Sequence, residues 1–548
     1  MNRKLMCVVL ATLLFLATAA KANTYTAASC NTSDVQSAIN SAAEGDTVLI
    51  PAGTCTWTSG VTISGKGITI QGAGSGRIIA YDNGTETPTI GTGTQTFTIA
   101  GYSPGFSASS ITNGETLRVF ENNNQTNYMQ GTVTSLVSGV LTMNITSTGG
   151  SGSTHRWLIS TLPSTVLINN STTAMFGITE DTSFHTSWSG MQVVPGSATP
   201  CDSSTAECAV IVPIYASGGQ AILIHDCWMQ INGAGDLIDS QTNRGVMWNC
   251  SANGSSGNPG QLVIGSIVRI KGAPATSWTT PSTWGAADTT GTGEMFLETN
   301  DFHALQSISD NDDNGRMVFR YNLVDNSQFS THGADTSNYG ERYFEYYNNT
   351  GVFNAYSDGS TFNLNGWLFI VRGGTFVMHD NTLPALSSQD YGSKADVAMT
   401  VMNLQRGGGP DPCWGAGFTT PGQYYHAPRQ VGMGYVTGTG TANYPPDGVN
   451  NSSTDSITYV GDSEPVYIWN NSRSMNISLS DGSGCPTTPT LDSSSNYIVS
   501  GRDYFNGTAK PSYTPYTYPH PLTQGSGSTG SGSTVNPPTG LAATVQVQ

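Results

Sequence analysis

RMVFRYNLVDNSQFSTHGADTSNYGERYFEYYNN, residues 316–349, carries one short phrase twice: alternating apolar residues that close on asparagine, FRYN at Asn322 and YYNN at Asn349. The phrase recurs outward as LIHD at Asp226, VMWN at Asn249, LETN at Asn300, MHDN at Asn381 and IWNN at Asn471. Successive separations are 23, 51, 22, 27, 32 and 90 residues. A period in the twenties built from short strands predicts a stacked solenoid. The apolar residue three before each Asn or Asp points into the core, and the Asn sits at the turn, where its amide can bond the Asn of the next coil. The fold predicted is all-β, a right-handed parallel β-helix of roughly a dozen coils. A β-sandwich array with Asn-rich turns is the alternative.

The chain begins with Arg3 and Lys4, an apolar run from Met6 to Ala19, and Ala20-Lys21-Ala22, the pattern of a secretion signal over residues 1–22. That run is too short to span a membrane, and no later stretch is long and apolar enough to do so. The expected location is therefore extracellular. Removing the signal deletes three basic residues and no acids, so the formal charge moves from −17 to −20. Such acidity argues against nucleic acid, whose binding needs a basic footprint. It leaves room for an acidic polysaccharide, because a local arginine cluster or a bound cation reverses the field in a cleft.

Eight cysteines remain after Cys7 leaves with the signal, an even number in an oxidising compartment. Three pairings have a physical motive. Cys30 and Cys55 bracket the first helix and strand, Cys201 and Cys208 close a tight loop, and Cys227 and Cys250 follow equivalent turns one period apart. Cys413 with Cys485 is the remainder.

Val35, Ala38, Ile39, Ala42 and Ala43 fall at helical spacing in DVQSAINSAA (34–43), with Ser33 or Asp34 as the cap. EGDTVLIPAGT then turns sharply into a strand. An amphipathic helix can cover the exposed end of a solenoid core. This opening resembles the pectate-lyase-like right-handed parallel β-helix superfamily, in which a capping helix precedes a G-D-x-[VI]-x-[VIL]-P-x-G turn. Residues 101–165 break the rhythm with alternating strands and Gly/Ser turns, and are read as a β insertion similar to small modules of tail-fibre and secreted adhesive proteins. The solenoid domain is assigned to 23–518 and a Gly/Ser/Thr linker to 519–536. Residues 537–548 resemble the first strand of a fibronectin type III domain. Only that strand is present, which implies a truncated or vestigial module on an appendage to something larger.

Seven basic residues and four histidines gather between His303 and Arg429. Two segments there draw the candidate chemistry. One holds His332 and Arg342; the other is NGWLFIVRGGTFVMHDN, with Arg372 and His379. L-x-x-x-R-x-G followed by an apolar-x-x-[ND]-N turn resembles the alginate lyase and chondroitinase B family of polysaccharide lyases. The resemblance implies β-elimination on a uronate-containing polysaccharide, with Arg372 at the family's arginine and His332 near the place of its lysine. It also implies a calcium site, whose nearest acids are Glu298 and Asp301, one to two coils earlier. A neutral histidine can take the C5 proton, and an arginine can neutralise the carboxylate. Arg342 and His379 would flank the pair, with Trp367 and Tyr346 as stacking platforms for sugars.

Two other readings use the same region. A glycoside hydrolase would take its acid and base from Asp310, Asp312 and Asp313. Polygalacturonase-type β-helices carry N-T-D, D-D, G-H-G and R-I-K in that order. Here RIK (269–271) precedes the DD at 312–313, and N-T-D is missing, so the matches are set aside as belonging to different coils. A non-catalytic adhesin or surface fibre would use aromatic platforms alone.

Overall fold

Arg316–Arg320 and Tyr343–Tyr347, the strands that end in the two quoted phrases, pair in parallel with Phe319 opposite Tyr346. Thr375–His379 continues the register with Met378 opposite Tyr346. These strands belong to one sheet of 12 strands, which matches the dozen coils expected. The structure is a computed structural model describing residues 22–525 apart from internal stretches, the longest being 197–213, 255–265, 272–292, 332–340, 353–368, 384–398, 403–435, 438–457 and 481–499. Each coil runs from this long sheet through a short corner into a sheet of eight strands, then into a third face of six strands that is continued by a sheet of four. The result is a right-handed parallel β-helix.

The corner between the long and eight-stranded sheets explains the repeated phrase. Its first residue takes a left-handed conformation, at φ 53° for Asn249, 56° for Tyr321, 55° for Asn348 and 54° for Asp380. The second residue carries the ladder. The Asn322 Nδ2 donates to Asn349 Oδ1 at 3.2 Å and Asn349 Nδ2 to Asn381 Oδ1 at 3.1 Å. Asn300 joins at one end and Asn471 at the other. Each amide also caps a main-chain carbonyl, as Asn349 does for Phe319. Asp226 and Asn249, read as ladder residues, sit one position early, at the left-handed residue. The ladder position in those coils belongs to Cys227 and Cys250. Correspondingly Ile224 and Met247, rather than Leu223 and Val246, point into the main core.

Cys227 and Cys250 are buried free thiols, so the disulfide expected between them is not formed. Each Sγ instead donates to the carbonyl two residues back, of His225 and Trp248. In-register side chains on adjacent rungs lie about 4.8 Å apart and parallel, whereas a bridge draws its Cβ atoms to about 3.8 Å. Cys30–Cys55 is bonded, with Cα atoms 5.8 Å apart. Cys201, Cys208, Cys413 and Cys485 lie outside the described residues.

The opening helix is Thr32–Ser41, capped at Asn31 and not at Ser33 or Asp34. Its Val35, Ala38 and Ile39 cover the end of the core, while Ala43 is exposed. Asp46, from the G-D turn, accepts the main-chain N–H groups of Asn23 and Ala43, and these bonds hold its carboxyl below the usual range. The interruption is larger than 101–165. Six antiparallel strands from Ile78–Asp82 to Trp157–Ser160 close into a barrel with its own core around Phe97, Met129, Leu141 and Trp157. Ser160 pairs with Ile78. Entry and exit are therefore adjacent, and the barrel hangs from one corner without breaking the stack. At the other end Tyr516 and His520 pack on the long sheet, so the segment read as linker from 519 is still part of the fold. Residues 526–548 lie outside the described part, as do 1–21.

Candidate functional site

The outer surface of the long sheet is roofed by the chain end. Arg320 donates to Glu298, the Tyr347 hydroxyl and the carbonyls of Tyr516 and Thr517, all at 2.7–2.9 Å. The Tyr516 hydroxyl donates to Glu294, and the His520 N–H to Glu298. Glu345 accepts the hydroxyls of Tyr343 and Tyr513, and burial pushes its carboxyl up to about 7. Several expected site residues are consumed here. His379 is buried between Tyr347 and Trp469, capped by Tyr513 and bonded to Asp380, and burial pulls its imidazole down. Arg342 is 5% exposed and feels Arg316 and Glu294; burial and then Arg316 lower it to about 9. Tyr346 points the other way, into the core, stacked on Phe319 at 5.0 Å. None of the three is presented to a polymer.

The eight-stranded sheet is roofed by the barrel. Asp301 meets Arg77 at 3.4 Å and Asp325 meets Arg156 at 2.6 Å. His303 lies between the two acids, at 3.0 and 2.7 Å. Burial alone would lower this imidazole, but the bonds and charges of Asp301 and Asp325 outweigh it and raise it to about 9. Glu298 and Asp301 thus face different sheets and already hold arginines, so they do not form the expected calcium pair. Among the described residues no cluster of His, Cys, Asp and Glu is placed to hold a metal ion.

The third face carries a different arrangement. Asp236–Ser240, Ser266–Lys271 and Ser309–Asp312 are consecutive rungs in which Asp239, Arg269 and Asp310 stand in register. Ile238, Val268 and Ile270 fill the core, so alternation turns Arg269 and its register partners outward. Asp236 reaches the same guanidinium: its Oδ2 lies 3.9 Å from Arg269 Nη1, and Asp310 Oδ2 lies 3.9 Å from Nε. Asp236 is 16% and Asp310 20% exposed. Burial, then the charge of Asp310, raise the Asp236 carboxyl to about 8 against the pull of Arg269. A carboxyl that stays protonated at neutral pH beside a second carboxyl has the make-up of an acid–base pair.

Of the sequence candidates, Asp310 is here. RIK, set aside for its order in the chain, stacks directly on the strand that holds Asp310 and Asp312. Asp236 and Asp239 were missed because DLIDS has no asparagine corner to mark it. Its legible signal was two acids three residues apart, two coils before the acidic run. His332, Trp367 and Asp313 lie outside the described residues. The backbone of Arg372 belongs to Phe369–Arg372, which pairs with Phe329–Ser330, the strand ending two residues before His332.

No family model matches the chain, and no curated protein matches it. Among solved structures, the tailspike gp61 of Pseudomonas phage phi297 aligns at 13% identity and a TM-score of 0.16, covering 68% of this chain and 65% of that one. The tailspike gp49 of Pseudomonas phage LKA1 aligns at 11% and 0.16, over 83% and 72%. The gp54 tailspike of Acinetobacter baumannii bacteriophage AP22, in complex with a capsular saccharide, aligns at 10% and 0.16, over 68% and 63%. The chain spans less than two thirds of the first and third of these, and its fold is established by its own strand register.

Proposed function

We propose that this chain is an exported protein that cleaves a polysaccharide on its third face by acid–base catalysis. The observation that carries this reading is that Asp236 and Asp310 both lie 3.9 Å from one guanidinium, with Asp239 in register beside it. Burial and the charge of Asp310 keep Asp236 neutral at neutral pH, as a general acid requires. Asp236 then protonates the glycosidic oxygen, and Asp310 supplies the carboxylate that activates water or receives the anomeric carbon. Stacked rungs about 4.8 Å apart let a polymer lie along this face and meet successive coils. Export rests on the signal-like start, and the polysaccharide on the solenoid face and its chemistry.

A second reading is β-elimination on a uronate, with His332 as base and Arg372 neutralising the carboxylate. The pairing of Phe369–Arg372 with Phe329–Ser330 favours it, since the two segments occupy neighbouring rungs. Incubation of the mature protein with a panel of neutral and uronate-containing polysaccharides separates these readings. Hydrolysis releases reducing ends without a near-ultraviolet chromophore. Elimination creates the chromophore of an unsaturated uronate. Binding with neither product leaves the adhesin and removes both catalytic readings.

A further inference from the structure

Where the barrel leans over the first coils of the eight-stranded sheet, a cleft of about 640 Å³ remains between them, within the 300–1,000 Å³ range of small-molecule sites. Its solenoid wall is built from outward positions of stacked rungs, with Val166 opposite Gln192 in register. Gln192 and Gln230 are only 6% and 7% exposed and both line the cleft. On the barrel wall, Gln125 Nε2 is buried without a partner. Buried amides are almost always satisfied, by protein, water or ligand. Three glutamines lining one cavity, one with a buried unpartnered N–H, form a set of donors and acceptors of the kind that sugar hydroxyls satisfy.

The charge of the cleft gives the class of sugar. Arg118 lies on the barrel wall, its guanidinium over the Tyr128 ring at 4.5 Å. Its Nε and Nη2 both donate to Gln130 Oε1, at 3.1 and 2.8 Å. This fixes the guanidinium in place while Nη1 stays uncommitted. No carboxylate is among the described residues lining the cleft, and Arg118 has no ion pair among the described residues. In a chain of formal charge −17, a fixed arginine without an acid is out of keeping with its surroundings. Arginine pairs carboxylates in a planar, two-bond geometry. Val166, Val194 and Pro163 supply apolar surface for the C–H faces of sugar rings.

We infer that the cleft between barrel and solenoid binds a short carboxylate-bearing oligosaccharide, with Arg118 on the carboxylate and the glutamines on hydroxyls. This site is separate from the acids of the third face and does not depend on the reaction proposed there. It would hold one part of an acidic polymer while another part is processed, or hold it with no reaction at all.

The test is calorimetric titration of the mature protein with trisaccharides of galacturonate, glucuronate, mannuronate and guluronate, each beside its carboxyl-reduced form. At least one acidic trisaccharide should bind with a Kd below millimolar, and its reduced form at least tenfold more weakly. Arg118→Met, which keeps an unbranched side chain and removes the charge, should remove that preference. Gln192→Ala should weaken binding severalfold with the preference intact, and it alters only the solenoid wall if the barrel variant fails to fold. Val137→Thr, an exposed barrel position that does not line the cleft, should bind as the parent does. The inference is overturned if no acidic trisaccharide binds, or if reduced forms bind equally. Retention of the carboxylate preference in Arg118→Met, with Gln192→Ala binding as the parent does, would place the sugar outside the cleft and would also overturn it.

Discussion

The long sheet and the third face both present charged side chains outward, yet they treat charge in opposite ways. On the long sheet Arg320 is fully buried, and every polar atom of its guanidinium that faces the chain end has a partner. Tyrosines 513 and 516 hand their hydroxyls to Glu345 and Glu294. On the third face one guanidinium stands 3.9 Å from each of two acids, and one of these is held protonated. The first pattern is satisfied and closed, as packing against a second layer of protein requires. The second holds the Asp236 carboxyl in its neutral form at neutral pH. The first arrangement serves the fold, and a raised carboxyl beside a second acid is the feature on which the proposed chemistry rests.

Replacing one residue on each face breaks this comparison if it is wrong. Arg320→Met should cost about 3–5 kcal/mol, because it leaves Glu298 buried without its cation, and should release the chain end to proteolysis. Urea denaturation with a protease time course reads both. At the corner beside that sheet, Asn349→Ala strands the Asn322 N–H and the Phe319 carbonyl. Its expected cost is about 2–4 kcal/mol, measured the same way.

The barrel contact offers a pH test on the remaining face. His303 is raised to about 9, so the stability it contributes is fully present below its unfolded value near 6.5 and is lost as pH rises through about 9. Hydrogen exchange of Ile78–Asp82 and Trp157–Ser160 should accelerate across that window, and His303→Gln should flatten the dependence. Asp236 has the opposite sign: a carboxyl raised to about 8 destabilises the fold increasingly as pH climbs from about 4 to about 8. Asp310→Asn removes a like charge beside it, so stability at neutral pH should change by less than about 1 kcal/mol. A large loss of stability in that variant would make the third face another structural ladder.

How much of this was legible in the sequence follows from which residues announce their environment. The corner asparagines did, because a left-handed residue followed by a buried amide is a narrow chemical demand, met in the same way at Asn322, Asn349 and Asn381. The cysteines at 227 and 250 satisfied the same corner with a different side chain, so the phrase was read one residue early there. The amphipathic helix was legible from its spacing. The site was not, because the roof over each face comes from far away in the chain. Nothing near His379 foretells Tyr513, and nothing near Asp301 foretells Arg77. RIK and the acidic run were separated by a coil whose length, 272–292 included, hid that they are neighbours. Order along the chain is a poor guide to rung when loops between strands vary this much.

The most direct measurement is the rate of reducing-end release from pH 5 to 10, for the parent and for Asp236→Asn, on the polysaccharide that the panel identifies. Asp236 is the proposed acid, so the parent rate should fall as pH rises through about 8. Asp236→Asn should be slower by about 100- to 10,000-fold and should lose that limb while remaining folded. A variant that cleaves at the parent rate, with the same pH profile, would contradict the assignment of catalysis to the third face.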